Sequence, residues 1–245
     1  MAIASLFYGI VAYLIFLVTF LYAIAFVGNL PVPKTIDSGS AGSVPAAIVV
    51  DALLLGLFAI QHSLMARPAF KRAWTRFVPN AIERSTYVLF ASLALIVLYW
   101  QWRPLLGIVW SFENPTAILT LKAIFWIGWG IVLTSTFMIN HFELFGLRQV
   151  YARLVGKPLP PPSFKKPMMY KWVRHPIYLG FLLAFWAAPT MTLGHLLFAI
   201  ATTGYILLGI WLEERDLVAV FGEQYRHYRK EVSMLIPLPR KKAGV

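Results

Sequence analysis

Long apolar runs separated by short polar loops set the pattern of this chain. Residues 5–28 contain no charged side chain. At about 1.5 Å per residue, a helix of that length crosses a hydrocarbon layer about 30 Å thick. The run is longer and more aromatic than the apolar core of a secretory signal peptide and lacks a charged start and a small-residue cleavage site, so we expect a retained helix. The turn-rich stretch 29–43, with its Pro, Gly and Ser residues, leads into a second span over 45–66. A third span covers 86–102 and a fourth 117–140. The longest polar stretch, 141–175, follows, and Pro160, Pro161 and Pro162 predict a stiff extended piece within it. The next apolar run, 176–212, has 37 residues, too many for one ordinary span, and Pro189 and Gly194 interrupt it. It predicts a helical hairpin. The expected fold class is all-α: a polytopic membrane helical bundle of four spanning helices plus a C-terminal helical hairpin, five or six transmembrane segments in one domain. Residues 1–140 form its N-terminal part and 141–245 its C-terminal part, whose tail after Glu213 is the one segment able to form a small polar cap.

Composition supports lipid as the solvent. Of 245 residues, 59% are hydrophobic and 13% charged, against roughly 45–50% and about 25% in soluble domains. Too few polar groups remain to cover a water-facing surface. The chain has no cysteine, which excludes disulfides, zinc-thiolate centres, iron–sulfur clusters and a thiol nucleophile. The net charge of +12 reports topology rather than nucleic-acid binding. Five Lys and Arg lie between Arg67 and Arg84, seven between Arg148 and Arg174, and seven between Arg215 and Lys242, so 19 of 22 fall in three loops. Only Lys34 and Arg103 sit in the intervening loops, with Lys122 near the outer end of the fourth helix. Because cations favour the cytoplasmic side, both termini are expected there.

Ionisable groups at membrane depth are costly and therefore candidate site residues. Asp51 and His62 are eleven residues apart, about three turns, on nearly the same face of the second helix. Asp51 lies toward the outer side and reads as structural. His62, in the run Gln61-His62-Ser63 near the cytoplasmic end, is either an imidazole bonded to a neighbouring helix or a site residue. The fourth helix is expected to deliver Asn140, His141 and Glu143 at its cytoplasmic end. His141 and Glu143 diverge on a helix and make no metal pair, but His141 and His62 share a depth at which they can flank a haem or orient a small nucleophile.

The strongest local signal is Arg174-His175-Pro176-Ile177-Tyr178-Leu179-Gly180. Proline in a first helical turn is preorganised for a helix start, so free N–H groups and the positive dipole end lie beside Arg174 and His175. That is an anion site, or more blandly a basic anchor. The final helix is expected to end in Glu213-Glu214-Arg215-Asp216, where the negative end of its dipole disfavours three acids and demands compensation. Beyond it, Tyr225 and Tyr228 share a helix face, as they would in an amphipathic surface helix. These groups together suit S-adenosylmethionine, among other amphoteric ligands. Its carboxylate would lie at Arg174 and His175, its ribose or amino group against Glu213 or Glu214, and its sulfonium near Tyr178, Tyr225 or Tyr228.

The order RHPIYLG, apolar hairpin, EERDL, FGEQYRHY and residues 232–237 resembles the C-terminal signature of the isoprenylcysteine carboxyl methyltransferase-like membrane enzymes, over residues 170–239. The resemblance implies an S-adenosylmethionine pocket built by Arg174, His175, Pro176, Tyr178, Gly180, Glu213 and Glu214, with Leu179 inside the same segment. The stretches FLYAIAFVGNL, QHSLMARPAFKRAWTRFVP, ERSTYV, YWQWRP and HFELFGLRQV are similar to the bacterial methanethiol S-methyltransferases of that group, which extends the likeness over nearly the whole chain. It implies a multi-pass protein of the bacterial inner membrane, active at the cytoplasmic face, that methylates a small thiol to dimethyl sulfide without a metal. The partners implied are that thiol and the bilayer, with no nucleic acid. A thiol is mostly protonated at pH 7, so we expect His62 or His141 to take its proton, directly or through Gln61, Ser63 or water. Alternatives keep the cofactor but change the acceptor to a prenylated thiol, a lipid carboxylate or another small thiol. A different class, the related-looking nitrite-reduction and carotene-isomerase proteins, would place haem between His62 and His141.

Overall fold

A computed structural model describes residues 1–40, 42–161 and 163–237. Pro162 of the proline triplet, the last two motif positions Leu238 and Pro239, and the cations Arg240, Lys241 and Lys242 lie outside the described residues. In chain order the elements are α1 (Ala2–Val27), α2 (Val44–Ala66), α3 (Pro68–Trp74), α4 (Asn80–Gln101) and β1 (Ile108–Ser111). Then come α5 (Pro115–Ile139), α6 (His141–Leu144), α7 (Leu147–Leu154), a 3₁₀ turn (Met168–Lys171), α8 (Pro176–Trp186), β2 (Thr190–Thr192), α9 (Leu193–Phe221) and α10 (Glu223–Glu231). Five of these helices, α1, α2, α4, α5 and α9, are long and apolar enough to cross a membrane, so the protein is a polytopic helical membrane protein.

Three boundaries differ from the sequence expectation for physical reasons. Helix α4 starts at Asn80 rather than at position 86, with Glu83 in its first turn, where a carboxylate suits the helix dipole. Helix α5 stops at Ile139, because Asn140 takes φ 152° and breaks it. His141 and Glu143 therefore ride on the separate short helix α6, not on the fourth span. The hairpin is unequal. Helix α8 has 11 residues and rises about 16 Å, half the hydrocarbon thickness, whereas α9 has 29 and rises about 43 Å. The final helix thus continues past Glu213-Glu214-Arg215-Asp216 to Phe221, and these acids do not sit at its negative end. Apolar residues continue the period beyond them: Leu217, Val218 and Phe221 pack against Tyr225, Tyr228 and Val232.

The chain divides into two compact units. The first comprises Met1–Ser111, His141–Pro160 and Thr190–Phe198. In it α1 packs on α4 and α7, and α2 packs on α4. Gly146 is required at its position: its φ is +90°, and a Cβ there would lie 2.7 Å from the Ser85 backbone nitrogen. Trp102 is fully buried and its Nε1–H donates to the Ile36 carbonyl at 3.0 Å. Asp51, also fully buried, accepts the Arg103 backbone N–H at 2.8 Å, in keeping with a structural role. Strands β1 and β2 pair antiparallel through Ile108 with Thr192 and Ser111 with Thr190.

The second unit comprises Phe112–Asn140, Pro161–Pro189 and the chain from Ala199 onward. Asn114 caps α5 by accepting the backbone N–H groups of Thr116 and Ala117, and Pro115 fills the first helical position. Helix α5 crosses α8 backbone to backbone where Gly128 meets Gly180, and a Cβ on either would lie 2.6 Å from the other's carbonyl oxygen.

Candidate active site

Local sequence builds the start of α8. Pro176 occupies the first helical position, and Leu179 N–H closes the first turn on the His175 carbonyl at 3.1 Å. The residues just before it are tied to the segment after α10: Arg174 N–H donates to the Ser233 carbonyl at 2.8 Å and His175 N–H to that of Met234 at 3.2 Å. This pairing turns both side chains toward α9. Arg174 Nε donates to Glu214 Oε1 at 2.7 Å, and its Nη1 donates to the carbonyls of Arg229 at 3.1 Å and Val232 at 2.5 Å. His175 Nε2 lies 3.1 Å from the same Oε1, and Arg229 Nε lies 2.9 Å from Oε2. Glu214 is only 7% exposed at its side chain and Arg174 6%, so each buried charge depends on the other. Its neighbour Glu213 is half exposed, accepts the Tyr178 hydroxyl at 3.1 Å and lies 3.8 Å from His175 Nδ1.

Arg174, His175, Tyr178, Glu213 and Glu214 are therefore brought together. Gly180 does not join them, because its open side faces α5. The two tyrosines of α10 differ in use. Tyr228 donates to the Tyr170 carbonyl at 2.6 Å and packs on Phe164, a structural arrangement in which burial pushes its pKa up to about 12. Tyr225 is 2% exposed, its hydroxyl has no hydrogen bond among the described residues, and burial and then Glu214 push its pKa upward. Both phenols remain protonated donors. Arg229 was not singled out from sequence, although its i+4 spacing from Tyr225 puts the two on one helix face. Beside Glu214 and Arg229 lies a hollow of about 250 Å³, also lined by Trp211, Arg215 and Val218, with the Arg215 guanidinium 5.5 Å above the Trp211 ring. Two guanidiniums, one carboxylate and an indole thus line one hollow.

The other candidates, Gln61, His62, Ser63 and His141, belong to the first unit. The Tyr87 hydroxyl lies 2.8 Å from His62 Nε2 and 3.0 Å from Nδ1, and Phe58 stacks on the imidazole. Gln61 Nε2 donates to Met65 Sδ at 3.2 Å, while its Oε1 is buried with no partner among the described residues. The Ser63 carbonyl accepts Arg67 Nε at 3.3 Å. His141 Nε2 lies 2.8 Å from the Tyr13 hydroxyl. Its ring sits against Phe145, which stacks on Phe16, and both phenylalanines pack on the core around Met65, Tyr87 and Val88. One aromatic cluster thus links the two histidines, and each bonds a tyrosine that the sequence reading did not name. Among the described residues no three His, Asp or Glu gather as a metal site.

Burial lowers the pKa of His141 below its ordinary 6.5. The unfolded chain therefore binds this proton first, so the stability tied to neutral His141 is complete above pH 6.5 and declines as pH falls below it. Replacing His141 with Gln should flatten that acid limb of melting temperature against pH, measured in detergent.

Five helices able to span a membrane and a buried cluster of charged side chains define the class: a polytopic helical membrane protein. The chain is 59% identical to the methanethiol S-methyltransferase of Mycobacterium tuberculosis over 237 residues, 97% of each protein. It is 61% identical to methanethiol S-methyltransferase 1 of Bradyrhizobium diazoefficiens, covering 95% of this chain and 82% of that one. Nurim of Mus musculus is 33% identical over 183 residues, 71% of this chain and 70% of that protein. No family model matches, and no solved structure matches. The chain belongs to the methanethiol S-methyltransferase family and is a methyltransferase.

Proposed function

We propose that the protein methylates the sulfur of methanethiol, giving dimethyl sulfide, with S-adenosylmethionine as donor. The observation that carries the donor assignment is Glu214, buried and bound by Arg174, His175 and Arg229 beside the half-exposed Glu213. The donor set fits: the guanidiniums suit a carboxylate, Glu213 suits an ammonium or a ribose diol, and the buried Tyr225 hydroxyl has no hydrogen bond among the described residues. When bound, S-adenosylmethionine supplies a methyl carbon activated by a sulfonium, open to direct in-line displacement. Arg174, Arg229 and Glu213 orient such a ligand by its charged end, while Trp211 offers an aromatic face.

On the acceptor side, a neutral imidazole takes the thiol proton. Burial lowers the His141 pKa and so favours its neutral form, and the Tyr13 and Tyr87 hydroxyls hold His141 and His62 in place. Gln61 Oε1, which has no hydrogen-bond partner among the described residues, is a second acceptor for an S–H group. The aromatic surroundings of both histidines suit a small apolar thiol, since sulfur packs well against ring edges. The 19 of 22 Lys and Arg in three loops support cytoplasmic termini and a cytoplasm-facing site, and the bacterial relatives support an inner-membrane location.

The test is headspace detection of dimethyl sulfide from purified protein given methanethiol and labelled S-adenosylmethionine, with longer thiols and a prenylated carboxylate as competing acceptors. Dimethyl sulfide as the main labelled product is expected; label appearing only in another acceptor would overturn the substrate. Replacing His62 or His141 with Ala should cut the rate about 100-fold at the base position. A rate and pH profile unchanged in both variants would remove the base role.

A further inference from the structure

Only three of the 22 Lys and Arg lie outside the three basic loops, and two of them, Lys34 and Arg103, line one hollow in the first unit. Its volume is about 240 Å³, and Ser38, Ser40 and Trp102 also line it. The walls are built structure. Trp102 is fully buried. Tyr22 Oη accepts the Lys34 N–H at 3.1 Å and donates to the Lys34 carbonyl at 2.9 Å, and Ser38 Oγ accepts the Thr35 N–H at 2.6 Å. Lys34 Nζ donates to the Trp100 carbonyl at 2.7 Å, so two of its three N–H groups remain for another acceptor. The Arg103 side chain is exposed and makes no hydrogen bond or ion pair among the described residues; only its backbone N–H is bound, to Asp51.

Charge in this hollow is not balanced internally. Asp51 is the carboxylate that acts on Lys34, and one buried carboxylate stands against two cations. Burial, and next Arg103, lower the Lys34 pKa, and Asp51 offsets them only in part. Depth points to the ligand's chemistry. The hollow lies where α1 and α4 end, and Trp100 in the last turn of α4 is 71% exposed, as in the aromatic belt at headgroup level. Lipid phosphates lie at that level. Cations are otherwise scarce at this end of the bundle, so two on one hollow call for a reason beyond topology.

We propose that the Lys34–Arg103 hollow binds a phosphate-bearing anion, either the headgroup of a phospholipid or free phosphate, independently of the methyl-transfer residues. The test uses the intact protein in a neutral detergent, with native mass spectrometry and thermal melting. The probes are phosphatidylglycerol, inorganic phosphate, and diacylglycerol as the phosphate-free lipid. Retention of phosphatidylglycerol alone assigns the headgroup, and saturation by inorganic phosphate assigns the free anion. In either case binding should weaken about ten-fold in Arg103→Gln and further in Lys34→Gln/Arg103→Gln, and stay unchanged in Lys122→Gln. Arg103→Gln keeps both the Asp51 contact and the Lys34 bond to Trp100, so it separates ligand loss from misfolding. Failure of both phosphate probes to bind, equal binding of diacylglycerol, or undiminished binding in the double variant would overturn the proposal.

Discussion

Replacing Glu214 with Gln is expected to destabilise the protein by about 3–5 kcal/mol and to reduce methyl transfer more than about 100-fold. The carboxylate holds Arg174 Nε at 2.7 Å, His175 Nε2 at 3.1 Å and Arg229 Nε at 2.9 Å. An amide keeps one acceptor oxygen but sets an N–H₂ group against a guanidinium, and the buried Arg174 charge loses its counter-ion. Melting in detergent and dimethyl sulfide formation report the two effects separately. The paired substitution Arg174→Met with Glu214→Met should recover much of the melting temperature, because apolar groups of similar size remove the need to bury charge. It should recover none of the activity. A Glu214→Gln protein that melts and turns over like the wild type would disprove the site.

Gly180→Val should be the most damaging change outside the charged cluster. Even the Cβ of Ala at 180 would lie 2.6 Å from the Gly128 carbonyl oxygen and 2.9 Å from the Val132 nitrogen, both backbone atoms that no rotamer change can move aside. Helix α8 must then back away from α5, at a cost of about 1–3 kcal/mol for Ala and more for Val. Arg174, His175 and Tyr178 sit at the start of α8 and would move with it. Displacement by about 1 Å is enough to cost roughly 100-fold in rate. Gly56→Ala in α2 is the matched control: its Cβ meets nothing within 4 Å, so helix propensity alone predicts a neutral or slightly stabilising change. Equal melting temperatures for Gly180→Val and Gly56→Ala would contradict this crossing.

Much of the molecule could be read along the chain because lipid imposes a simple rule: a spanning segment must be a helix and must be apolar for about 20 residues. Hence the four spans before residue 141, the break near Pro189 and the helix start at Pro176 were all legible, as was the family likeness of RHPIYLG and EERDL, whereas the 176–212 run read as one crossing or two. Polar segments carry no comparable rule. Whether Glu213 and Glu214 end a helix or ride inside one depends on Leu217, Val218 and Phe221 packing against Tyr225, Tyr228 and Val232. Whether His141 belongs to the fourth span depends on the backbone at Asn140.

Which side chains answer each other lay beyond the reach of spacing. Glu214 meets Arg174 forty positions away, and His141 meets Tyr13 at 128. Such pairs arise because a charge or imidazole taken from water must find a complementary group, and several were available for each. Local pattern thus settled membrane residence, the four spans before residue 141 and the inventory of candidate polar groups, since hydration and helix geometry act residue by residue. The choice of partners, including the role of Arg229, the structural use of Tyr228 and the pairing of each histidine with a tyrosine, emerged from packing, where distant segments compete for the same contact.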